Sequence, residues 1–133
     1  KKNSEVNKMK YIIITNNRKV ANLYQETNQV KFYEFKDFLH ILDKVQEQVY
    51  EGRKLLSDPI ISHLEDAKNP FKSVIVSKEC FEDNQEFKRI IDLAVKIATQ
   101  LERPHDNYSE EELEAFRFID LKLLQESSHA FDD

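Results

Sequence analysis

Two short runs decide most of what this chain can become. Tyr11-Ile12-Ile13-Ile14-Thr15 and Ser73-Val74-Ile75-Val76-Ser77 are continuous and rich in β-branched residues. Successive side chains of a strand point to opposite faces, so a strand apolar along its whole length must be covered on both. Helices on either side of a sheet supply that cover, and the rest of the chain offers them.

After the first run, Asn16-Asn17 can turn the chain and cap a helix, and Arg18 to Gln25 carries Val20, Ala21, Leu23 and Tyr24. Val30-Lys31-Phe32-Tyr33-Glu34-Phe35 alternates, as a strand nearer an edge does. Asp37 stands where a helix wants its cap. Phe38, Leu42, Val45 and Val49 then repeat every three to four residues and form one apolar face. Gly52, the only glycine, follows where a helix end favours a left-handed residue. Leu55-Leu56 reads as a short buried segment ended by Pro59, and residues 57–69 as the longest loop.

Beyond the third strand, Asp83 with Glu86 makes an acidic capping box before the amphipathic stretch Phe87, Ile90, Ile91, Ala94, Ala98 and Leu101. Cys80 between them reads as an ordinary, partly buried thiol with acidic neighbours. Residues 104–108 form a linker. Ser109 with Glu112 opens a last helix, with Leu113, Phe116, Ile119 and Leu123 expected inward.

The order β-α-β-α-loop-β-α-α predicts a small three-layer α/β domain. Its short parallel sheet comprises strands 11–15, 30–35 and 73–77, with the first in the centre, flanked by helices that include two at the C-terminal end. The last helix is expected to pack on the domain; a homo-oligomer contact is the alternative. At 133 residues, 40% of them hydrophobic with nine Phe and five Tyr, the chain suits one domain with a filled core. Met9 is the only methionine and directly precedes the first strand. Residues 1–8 therefore read as an extension or polar arm, and 9–133 as the domain.

A net charge of −5 argues against binding nucleic acid or an acidic membrane surface. No apolar run approaches the roughly 20 residues that cross a bilayer. A lone Cys80 cannot form an internal disulfide and suits a reducing compartment, so the cytoplasm is the expected location.

In open α/β sheets ligands gather beyond the carboxyl ends of the strands. With all strands parallel, that rim would hold Thr15, Asn16 and Asn17, then Lys36, then Ser77. Amide and hydroxyl groups there suit holding a polar small molecule better than moving protons. The plainer reading is that Asn16 and Asn17 only turn the chain and cap the helix. Arg53 and Lys54, with Asp58 in the following loop, could hold an anionic group, although cations after a helix end also complement its dipole. Lys72, just ahead of the third strand, is expected at the opposite edge of the sheet.

One glycine allows neither a dinucleotide fingerprint nor a P-loop. His40, His63, His105 and His129 lie far apart and pair with no cysteine cluster, so no metal site is expected, and no cofactor. Asp58 with His63 or Lys54 is the only acid–base arrangement on offer, and nothing in the spacing requires it. No catalytic residue is assigned.

Ile12-Ile13-Ile14-Thr15-Asn16-Asn17, Gly52-Arg53-Lys54-Leu55-Leu56-Ser57-Asp58-Pro59 and Asn69-Pro70-Phe71-Lys72-Ser73-Val74, in that order and spacing, resemble the GrdX family. These are small proteins encoded beside the glycine reductase genes of amino-acid-fermenting anaerobic bacteria. The family pattern reads Leu-Leu-x-His-Pro-Leu followed by a Gly-Ser pair; this chain has Asp58 at the histidine position and no glycine after Pro59. The resemblance implies an accessory role near glycine, sarcosine or betaine reduction and brings no reaction with it. Three functions follow as expectations: a non-catalytic accessory or regulatory protein with reductase components as partners, a domain binding a polar or anionic metabolite, and, last, an enzyme of unknown reaction.

Overall fold

The structure is a computed structural model and describes residues 11–34, 37–104 and 106–132. In chain order the elements are β1 (Tyr11–Thr15), α1 (Arg18–Tyr24), β2 (Gln29–Phe32), α2 (Phe38–Tyr50), a single 3-10 turn (Asp66–Lys68), β3 (Ser73–Ser77), α3 (Gln85–Gln100) and α4 (Glu110–Asp132). The α/β class and the first and third strands are as expected, and β2 is shorter than the 30–35 read from the sequence.

β1 lies in the centre of a three-stranded sheet of order β2-β1-β3. It runs parallel to β2, with Ile13 opposite Val30. It runs antiparallel to β3, with Tyr11 opposite Ser77 and Thr15 opposite Ser73. The all-parallel sheet is therefore corrected to a mixed one. The cause lies in the chain that follows α2. Leu55 bridges Val76 in antiparallel fashion along the outer edge of β3. The Leu56 N–H donates to the Ile75 carbonyl at 2.8 Å and the Ser77 N–H to the Lys54 carbonyl at 2.9 Å. The crossover through α2 thus does deliver chain parallel to β1, but what it delivers is Leu55-Leu56. The chain then turns back through the 57–72 loop, and β3 fills the gap between that segment and β1.

Both sheet faces are covered, as the unbroken apolar runs require. Ile12, Ile14, Val74 and Val76 pack against Phe38, Ile41, Leu42, Val45 and Val49 of α2 and Ile91, Ala94 and Ala98 of α3. Ile13 and Ile75 face the other way, against Val20 of α1 and Leu121 and Leu124 of α4. Each fully buried side chain of this size contributes about 1.5–3 kcal/mol. Among the described residues no helix is long and apolar enough to cross a membrane.

The helix ends follow the sequence in four places. Asp37 accepts from the Leu39 and His40 N–H groups, and Asn17 from that of Lys19. Gly52 takes φ 118°. Ser109 and Glu112 exchange bonds of 2.8 and 3.1 Å. Two readings need correction. Asn84, not Asp83, precedes α3, and its amide is spent on the C-terminal turn of α2, donating to the carbonyls of Val49 at 2.7 Å and Arg53 at 3.2 Å. α4 turns Asp120, Leu121 and Leu124 inward and leaves Ile119 and Leu123 47% and 51% exposed. The period was legible but its phase was not, because polar bonds to the sheet, described next, set the rotation of this helix.

A candidate binding cleft at the end of the sheet

Reversal of β3 brings its first residue beside the last residue of β1. The Thr15 and Ser73 hydroxyls lie 2.6 Å apart, and Ser73 donates to Asp120 Oδ2 at 2.7 Å. A serine hydroxyl has one proton. Ser73 gives it to the carboxylate, so Thr15 donates to Ser73 while accepting from the Asn17 N–H at 2.9 Å. Asn17 Nδ2 donates to Asp120 Oδ2 at 3.0 Å and to the Arg117 carbonyl at 2.9 Å. Asn16 clasps the loop that enters β3: its amide donates to the Pro70 carbonyl at 3.0 Å and its oxygen accepts from the Lys72 N–H at 2.9 Å. Asn69 donates to the Phe116 carbonyl at 3.0 Å. These bonds tie α4 to the sheet.

In front of this network lies a cleft of about 710 Å³ between the start of β3, the 57–69 loop and α4. Lys72, Ser73 and Asp120 form its polar wall, and Ile60, Phe116 and Ile119 are among its apolar residues. Asp120 is only 4% exposed. Burial pushes its carboxyl above the usual aspartate range, against the opposing pull of the Asn17 and Ser73 hydrogen bonds and the Lys72 charge. Burial also lowers the pKa of Lys72, against the attraction of Asp120, Asp58 and Asp66. The two groups sense each other, yet none of the ion pairs among the described residues includes either one. Lys72 Nζ reaches the Asp58 carbonyl at 3.4 Å.

The residues singled out from the sequence divide between the two ends of the sheet. Thr15, Asn16 and Asn17 are buried behind the cleft wall and act as its scaffold, which joins the turn-and-cap reading to a supporting place in the site. Asp58 lines the cleft and caps its own turn, accepting from the Ile60 N–H at 2.9 Å. Lys36 lies outside the described residues. Arg53, Lys54 and Ser77 sit at the far end, where the reversal of β3 carries them. Arg53 pairs with Glu51 at 2.7 Å, Lys54 Nζ lies 4.2 Å over the Phe81 ring, and Ser77 donates to the Glu79 carbonyl at 2.8 Å.

His63 lines the cleft, but its Nδ1 lies 3.5 Å from Asp66 and 3.3 Å from the Ser62 hydroxyl. Cys80, read as partly buried, is exposed. Among the described residues no three His, Cys, Asp or Glu gather as a metal site.

Sequence reasoning placed Lys72 at the wrong edge for want of the direction of β3, and it passed over Asp120. The signal for Asp120 was a lone acid between Ile119 and Leu121 on an amphipathic helix.

A profile of the GrdX-like protein family matches residues 12–129. No curated protein and no solved structure gives a significant match. The family match spans nearly all of the elements that build the cleft, from β1 through most of α4, and the chain belongs to the GrdX-like family.

Proposed function

We propose that this GrdX-like protein is a non-catalytic accessory protein that holds a small polar metabolite in the cleft over Lys72 and Asp120. One observation carries the reading: a buried carboxylate and a half-buried ammonium line the same cleft without pairing with each other. Withdrawing charge from water is unfavourable unless a partner compensates it. A ligand seated between the two would supply that partner, and a concave, partly apolar cleft with a few convergent polar groups is the usual form of a small-molecule site.

The same geometry supports holding over turnover. The Ser73 proton is already committed to Asp120, and among the described residues no imidazole is hydrogen-bonded to Ser73 in the manner of a serine–histidine pair. His63 turns to Asp66 and Ser62 and not to Asp58. Membership of the GrdX-like family supports reading the accessory role as one alongside glycine, sarcosine or betaine reduction, with reductase components as the expected protein partners.

Thermal-shift measurements against amino acids, nucleotides and inorganic phosphate test the cleft. At a hundredfold excess over Kd a bound ligand stabilises by about 2.7 kcal/mol, well within reach of a melting scan. At least one class is expected to raise the Tm of the wild type and to raise that of Lys72→Met less. A Tm unmoved by all three classes removes the cleft from consideration as a metabolite site. A pull-down with the reductase components tests the accessory role, and failure to enrich any of them counts against it.

A further inference from the structure

We infer that the metabolite is a zwitterion with an apolar body, such as an α-amino acid with a large aliphatic or aromatic side chain. Its ammonium would meet Asp120, its carboxylate Lys72, and its apolar part Ile119 and Leu123. This inference rests on the cleft being a ligand site and specifies what the site takes.

Charge is the first argument. Asp120 is held by the Asn17 amide and the Ser73 hydroxyl, both on Oδ2, and by the Ser73 backbone N–H, all of them neutral. Neutral donors orient a carboxylate but leave its charge uncompensated. Lys72 feels the charges of Asp120, Asp58 and Asp66 from a distance but makes no ion-pair contact among the described residues, where its side-chain hydrogen-bond partner is a backbone carbonyl. A simple cation would answer Asp120 and leave Lys72 unmatched, and a simple anion would do the reverse. A molecule carrying both charges answers both.

The second argument is apolar. Ile119 and Leu123 stand one turn apart on α4, are about half exposed, and line this same cleft. They belong to the stripe that the sequence directs inward, yet the sheet does not cover them. A ligand body lying along them would. Size agrees: about 710 Å³ lies within the range of pockets that enclose molecules larger than a two-carbon zwitterion.

Isothermal titration of the full chain with L-leucine, L-phenylalanine, glycine, N-acetyl-L-leucine and L-leucinamide tests this. Leucine or phenylalanine is expected to bind. N-acetyl-L-leucine lacks the cation and leucinamide the anion, and each is expected to bind at least about tenfold more weakly, as loss of a charged hydrogen bond implies. Glycine, with no side chain to bury, should also fall by about tenfold or more.

Leu123→Ser changes an exposed residue and leaves the fold intact, so it should weaken leucine and leave glycine unchanged. Asp120→Asn should bring leucine down to the level of N-acetyl-L-leucine. The inference is overturned if either blocked analogue binds as tightly as leucine, or if leucine and phenylalanine give no heat. Should phosphate or a nucleotide raise the melting point in the broad screen while these amino acids do nothing, the zwitterion falls and the cleft stands. Should nothing in that screen bind, both fall.

Discussion

Asp120 and Lys72 each hold charge where water is scarce, and their titration should be visible in stability. For Asp120 the folded pKa lies above its ordinary 3.8. Between those two values the folded state binds more protons than the unfolded one, so stability is greatest below the unfolded pKa and declines as pH rises through the folded pKa. Wild type minus Asp120→Asn, followed by denaturant unfolding from pH 4 to pH 7, is expected to fall with rising pH; a flat difference would remove the burial argument. Lys72 has its folded pKa below 10.5. The folded state sheds that proton first, so its contribution improves as pH rises towards the unfolded value.

Gly52 is a separate single-residue dependence. A Cβ there would meet the Phe81 carbonyl oxygen at 3.0 Å and Cys80 Cβ at 3.1 Å, at a φ that L-residues avoid. Gly52→Ala should destabilise by roughly 1–3 kcal/mol in chemical denaturation. That glycine was legible because a helix end asks for it. Lys72 and Asp120 were not, because their environment depends on which way β3 runs and how α4 is rotated.

At the level of elements, composition marked every strand and helix but carried no direction. A run such as Ser73-Val74-Ile75-Val76-Ser77 is the same pattern read forwards or backwards, and only its pairing with β1 fixes which end meets Thr15. A predicted rim of Thr15, Asn16, Asn17 and Ser77 therefore became two separate ends. α4 shows the same limit in rotation: its stripe is real, but hydrogen bonds to Asn17, Ser73 and Asn69 decide which part of it faces the sheet.

Asn84 shows how one side chain joins two elements, with its amide on carbonyls at the end of α2 while its own backbone starts α3. Asn84→Ala removes the side-chain donor to both carbonyls, although Val49 keeps the Gly52 N–H at 2.9 Å, and should cost about 1 kcal/mol. Hydrogen exchange should then report faster opening of the last turn of α2, and unchanged protection there would show that the bond holds nothing.

Across the molecule, β1 separates two cores of unequal weight. The side packed by α2 and α3 is the larger, and the side packed by α1 and α4 has fewer buried residues. Ile41→Ala, on the larger side, should cost about 2–5 kcal/mol. On the smaller side polar bonds share the work, so α4 is the element most open to release.

That arrangement has a consequence for how the protein comes into being. The Asn17–Asp120 bond joins positions 103 residues apart. While the chain is being made, a sheet can assemble with Thr15, Asn17 and Ser73 already in place and no carboxylate to receive them. Asp120, one of the three residues of the polar wall, is therefore delivered after the other two, on a helix that any occupant of the cleft would help to seat. Ligand supply and completion of the structure would then be read through a single docking event.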